Sequence, residues 1–226
     1  MTNTFDSYTR QVFELAAQTW VPIVIALAAM TAPYVYLDMY HSEREAPYYL
    51  VDAILTVVEY LLLITFVRTL GVMPKGETGR IGTFFFVYLA SAVLAGLGLI
   101  ALVIPGLFLI VRLVPALAAA VAGKDDIVGT IKWSWRATED VQWRIARALL
   151  GPFLCLMVVV GAILHWELVY LEVPEVWTAY EWGSTLMINS SSAVMMIWLS
   201  ALGAVVYRDI RGQRGEAGTG PLQNPT

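Results

Sequence analysis

Apolar positions along this chain fall in long runs, not in short alternations. Six stretches are long enough to cross a hydrocarbon core of about 30 Å as helices, which takes roughly 17–25 residues each. They are Thr19–Leu37, Leu50–Val67, Ile81–Ile104, Gly106–Ala122, Leu149–Tyr170 and Gly183–Tyr207. Only Pro105-Gly106 separates the third from the fourth. We read that pair as a tight hairpin, because proline cannot continue the ladder and glycine permits reversal. A single helix of about 40 apolar residues would overshoot the bilayer.

Two amphipathic segments accompany the spans. Phe5, Tyr8, Val12 and Leu15 recur at helical spacing, which predicts a helix along the interface before the first span. No short apolar stretch with a small-residue cleavage site precedes that span, so no cleavable signal peptide is expected. In the connection from Lys124 to Arg147, Asp125 or Asp126 can cap a helix starting near Ile127. Thr138 can cap a second helix running through Val141 and Ile145 into the fifth span. The fold class is therefore all-α: an integral membrane bundle of about six transmembrane helices, with an interfacial helix before the fifth. Residues 1–210 form one membrane domain, and residues 211–226, rich in Gly, Gln and Pro, form a disordered tail.

Composition agrees with this reading and narrows the chemistry. Charged residues make up 14% of the 226 and hydrophobic ones 58%, against about 25% charged in a soluble domain. A net charge of −4 and a pI near 5.2 leave no basic face for nucleic acid. One cysteine, Cys155, excludes an internal disulfide, and two histidines make no metal-ligand cluster. No cofactor is expected. Charge also orients the spans. Arg10, Arg68, Lys75, Arg80, Lys124, Lys132, Arg136, Arg144, Arg147, Arg208, Arg211 and Arg214 fall on one side, only Arg44 on the other, and Arg112 within a span. The positive-inside bias then puts both termini in the cytoplasm.

Ionisable residues inside spans are costly and mark candidate sites. Asp52 and Glu59 lie seven residues apart, on nearly one face of the second span. Counting about 1.5 Å per residue from the outer ends puts Glu59 and Arg112 at similar depth, about 9–14 Å, so the two are expected to pair. His165, Asn189 and the serines 190–192 share the outer half and could join Asp52, Glu59 and Arg112 in a polar network. Small residues such as Ala92 and Gly96, or Ser200 and Ala204, would let helices approach closely. No nucleophile–base set, metal motif or phosphate-cradling loop can be read, so no catalytic residue is assigned.

The loops differ in character. The stretch from Trp166 to Trp182 carries four glutamates and no basic residue. It reads as an aromatic belt, or else as a shallow cation or headgroup site. In the Lys124–Arg147 connection, Trp133, Trp135 and Trp143 alternate with Lys132, Arg136, Arg144 and Arg147. Tryptophan anchors at the interface and arginine meets lipid phosphate, which makes these seven the candidate headgroup contacts.

Pro105-Gly106-Leu107-Phe108-Leu109-Ile110-Val111-Arg112, then Ser134-Trp135-Arg136-Ala137-Thr138 and Trp143-Arg144, resemble the membrane domain found fused to glycerophosphoryl diester phosphodiesterases. Related bacterial inner-membrane proteins share the pattern. Where that family has more basic residues and a glycine after the threonine, this chain has Glu139-Asp140-Val141. The resemblance implies a six-span bundle in a bacterial inner membrane. It does not imply phosphodiesterase activity, which in that family resides in a separate soluble barrel. The expectation is a non-enzymatic, lipid-contacting factor of the membrane or envelope, with membrane lipids as partners. The alternative is a small transporter or channel with a polar pathway near Asp52, Glu59 and Arg112.

Overall fold

A computed structural model describes residues 6–40, 45–73, 79–101, 103–123, 126–170 and 177–213. Among them every regular element is a helix. These are α1 (Asp6–Gln18), α2 (Trp20–Tyr40), α3 (Glu45–Thr69), α4 (Ile81–Ala101), α5 (Val103–Leu113), α6 (Ala116–Ala122), α7 (Ile127–Ala137), α8 (Gln142–Tyr170) and α9 (Trp177–Gln213). Six helical segments are long and apolar enough to span a bilayer, with α5 and α6 together supplying the fourth. The protein is a multi-pass membrane protein of all-α class.

The bundle is organised around α9, which packs on α1, α2, α3, α6 and α8. Its 37 residues extend about 55 Å at about 1.5 Å each, beyond the apolar core of a bilayer. The centre is closed by Leu63, Phe66 and Val67 of α3 against Leu202, Val205 and Val206 of α9. Two glycines permit close helix approach. A Cβ on Gly98 would lie 2.9 Å from the Gly106 Cα, and one on Gly203 would lie 2.5 Å from the Val114 carbonyl oxygen. By contrast Gly96 faces open space and Ala92 is exposed, so that expected small-residue contact is not where the helices meet.

The α1 helix buries the stripe predicted for it: Tyr8, Val12 and Leu15 are buried while Phe13 faces outward. It lies across the last turns of α9, where the Tyr8 hydroxyl donates to Asp209 (3.0 Å) and Arg208 Nη2 donates to Gln11 (2.7 Å). Burial, with the Asp209 carboxylate adding to it, pushes the Tyr8 hydroxyl above the usual phenol range. Phe5 and the tail from Arg214 onward lie outside the described residues, but α9 continues through residues 211–213.

Two local expectations are corrected. The Pro105-Gly106 pair is not the reversal: α4 ends at Ala101 and α5 starts at Val103. Pro105 therefore sits in the first turn of α5, where a missing N–H costs nothing. Its neighbour Gly106 serves the contact with Gly98 instead. Thr138 does not cap α8. Its hydroxyl donates back to the Ser134 carbonyl (2.8 Å), closing the C-terminus of α7. Asp126 does cap α7, accepting from the Gly129 N–H at 2.8 Å.

Candidate functional site

The polar residues inside the bundle form three separate groups. At one end, α2 and α3 each carry a tyrosine four residues before an aspartate: Tyr34 and Asp38, Tyr48 and Asp52. That spacing puts each pair on one helix face, and because the helices run antiparallel the pairs cross. Tyr34 donates to Asp52, and Tyr48 donates to Asp38 at 2.9 Å. The rings lie 6.4 Å apart. Asn189 of α9 completes the group by donating to Asp38 (2.9 Å). Asp38 and both tyrosines escaped the sequence reading; the repeated Tyr-x-x-x-Asp on consecutive spans was the available signal.

Deeper in the bundle, Glu59 of α3 is 3% exposed. Ser200 of α9 donates to its Oε1 at 3.0 Å, while Oε2 has no hydrogen-bond partner. Glu59 lines a cavity of about 220 Å³ together with Tyr88 and Ser91 of α4, Ser200, and the aliphatic side chains of α5, α6 and α9. The Ser91 hydroxyl is also without a partner. Tyr88 lines the cavity beside Glu59, and Asp52, two turns away along α3, is exposed where Glu59 is buried.

The third group holds Arg112, and its expected pairing with Glu59 does not form. Its Nη1 donates to the Trp135 carbonyl (2.9 Å), and Ser134 Oγ donates back to the Arg112 carbonyl (2.7 Å). The guanidinium carbon lies 5.1 Å from the Phe108 ring centre and 5.3 Å from that of Trp135, two cation–π contacts with rings that themselves meet edge-on 5.8 Å apart. The cause of the miss is azimuth. Ile110 and Val114 line the Glu59 cavity, and Arg112, two residues from each, must point to the other side of the helix. Counting along the span says nothing of which neighbour Arg112 faces. Among the described residues no carboxylate lies within ion-pair distance of Arg112.

The remaining candidates divide. His165 is exposed on α8, so it does not join Asn189 in a common cavity. On α7 the buried stripe is Thr130, Ser134 and Ala137. Trp133, three residues from Thr130 and four from Ala137, turns inward with it and packs edge-on against Tyr207, centroids 5.2 Å apart. That removes Trp133 from the headgroup set. Lys132, Trp135, Arg136, Trp143, Arg144 and Arg147 are exposed on α7 and the start of α8. Of the acidic stretch read as a loop from Trp166 to Trp182, residues 166–170 end α8 and residues 177–182 begin α9, so most of it is helix; residues 171–176 lie outside the described residues, and Trp182 packs on Tyr40. Among the described residues no group of three His, Cys, Asp or Glu could hold a metal ion.

No family model, curated protein or solved structure matches the chain.

Proposed function

We propose that this multi-pass protein is a non-enzymatic lipid-contacting factor of a bacterial inner membrane, with both termini cytoplasmic and α7 as the lipid-facing element. The observation that carries the reading is the way α7 is held. Ser134 and Arg112 fasten its inner face by two reciprocal hydrogen bonds, while Lys132 and Arg136 stay outward on the opposite face and Trp135, still partly exposed, packs its ring beside Phe108 and Arg112. A rigidly mounted strip of tryptophan and basic side chains suits lipid headgroups, since the indole rests at the interface and guanidinium binds phosphate bidentately.

Native mass spectrometry of gently purified protein tests this. An anionic phospholipid retained at fixed stoichiometry, and lost in Arg136→Gln with Arg144→Gln, is the expected result. A protein that keeps no lipid, or keeps it equally well in the double variant, overturns it. A transport reading is favoured by one observation, the cavity that Glu59 and Tyr88 line two turns along α3 from Asp52. Arg112, turned toward α7, is no part of that path. Cation flux in reconstituted vesicles, abolished by Asp52→Asn, would support it over the lipid reading.

A further inference from the structure

The cavity beside Glu59 has a chemistry that the lipid-facing α7 strip does not use. Its one acid is nearly fully buried, and its Oε2 accepts no bond. The Ser91 hydroxyl on the α4 wall is a second buried polar group without a partner. Among the described residues no basic side chain comes within ion-pair distance of Glu59. Apart from Tyr88 and Ser200 the rest of the lining is aliphatic, including Leu63, Ala95, Leu117, Met196 and Leu199. A native protein rarely leaves buried polar atoms unsatisfied, and two that line one cavity point to a bound molecule as the explanation.

Candidate occupants can be sorted by what each would leave unmet. Water could bridge Glu59 and Ser91 but would leave the aliphatic end unfilled, since water holds only where it finds two to four polar partners. A hydrocarbon or acyl chain would fill that end and leave Oε2 bare. A hard metal ion requires about six oxygen ligands, and here one carboxylate, two serines and one tyrosine line the space. An anion is repelled. What remains is a molecule with an N–H-bearing cation at one end and a compact apolar body at the other. Size agrees, because a cavity of about 150 Å³ accommodates benzene, and this one is about 220 Å³. Access is lateral: Ala92 is exposed and Ser91 and Ala95 are half-buried, so the α4 side of the cavity opens toward the acyl chains.

We propose that this cavity binds a lipophilic primary amine in its protonated form, the ammonium on Glu59 Oε2 and Ser91 and the apolar body against α6 and α9. The inference is independent of the lipid-contacting reading, and its test keeps the two apart. Phenethylammonium is titrated into the full chain in zwitterionic nanodiscs, with phenethyl alcohol as the neutral isostere. The expected result is saturable binding of the amine, with the alcohol about tenfold weaker or worse for want of a charge-assisted bond. Glu59→Gln should weaken amine binding by about tenfold or more for the same reason. Ala95→Leu, which adds three carbons into free space and leaves the acid intact, should weaken both ligands. Arg136→Gln should change neither. No saturable binding, equal binding of amine and alcohol, or amine binding unaffected by Ala95→Leu overturns the proposal. The Ala95 variant keeps it open to refutation should Glu59→Gln fail to fold.

Discussion

Gly203→Ala tests the packing of the whole bundle at one atom. The added Cβ would lie 2.5 Å from the Val114 carbonyl oxygen, 0.5 Å inside the 3.0 Å that Cβ contacts keep. The obstacle is backbone, so no rotamer change relieves it, and α9 must withdraw from α5 and α6. Leu202, Val205 and Val206 are fully buried beside it, and withdrawal loosens their contacts too. Overpacking of this kind costs about 1–3 kcal/mol, partly offset by the roughly 1 kcal/mol that alanine gains over glycine in a helix. The net loss of up to about 2 kcal/mol is a fall of up to roughly thirtyfold in the folded-to-unfolded ratio. Equilibrium unfolding in mixed micelles titrated with SDS, followed by tryptophan fluorescence, measures it. Gly161→Ala on α8, where nothing lies within 4 Å, is the control and should be neutral or stabilising. If the two variants behave alike, α9 and Val114 are not in contact and the arrangement of α5 and α6 is wrong.

Three further outcomes follow from particular bonds. A double-mutant cycle between Glu59→Gln and Arg112→Met should give coupling below about 0.5 kcal/mol, the value for independent sites, whereas Glu59→Gln with Ser200→Ala should exceed it; the reverse order would restore the ion pair. Asp126→Ala should cost about 1 kcal/mol as a lost N-cap, seen as faster hydrogen exchange at the Gly129 amide; unchanged exchange would deny the cap. With the Tyr8 hydroxyl raised in the folded state, the unfolded chain loses this proton first above about pH 10. Stability therefore falls as pH rises past that point, by up to about 1.4 kcal/mol per unit from this group. Tyr8→Phe should flatten that slope in a pH series, and an identical slope in both proteins would refute it.

The sequence read the spans well because a bilayer imposes their length, and α1 because its stripe of Tyr8, Val12 and Leu15 stands out against polar neighbours. Asp126 was legible for a similar reason: a cap is a local contact. What stayed hidden was rotation. Lipid tails are as apolar as a helix interface, so the residues alone do not distinguish exposed Leu89, Val93 and Leu97 of α4 from buried Phe84 and Val87. Without that distinction Glu59 and Arg112 could not be assigned neighbours. Thr138 was read for its capping chemistry without a direction, and its hydroxyl turned back to Ser134. The cavity was further out of reach, because it needs Ser91, Leu117 and Ser200 from three different helices at once.

The clasp between α1 and the end of α9 also sets an order of assembly. Tyr8 and Asp209 are separated by 201 residues, which a ribosome adds in about 10–40 s at roughly 5–20 residues per second. Throughout that interval α1 can rest on α2 and α3 but lacks α9, against which most of its packing falls. The clasp thus closes only once α9 has been made, long after the helix that it holds.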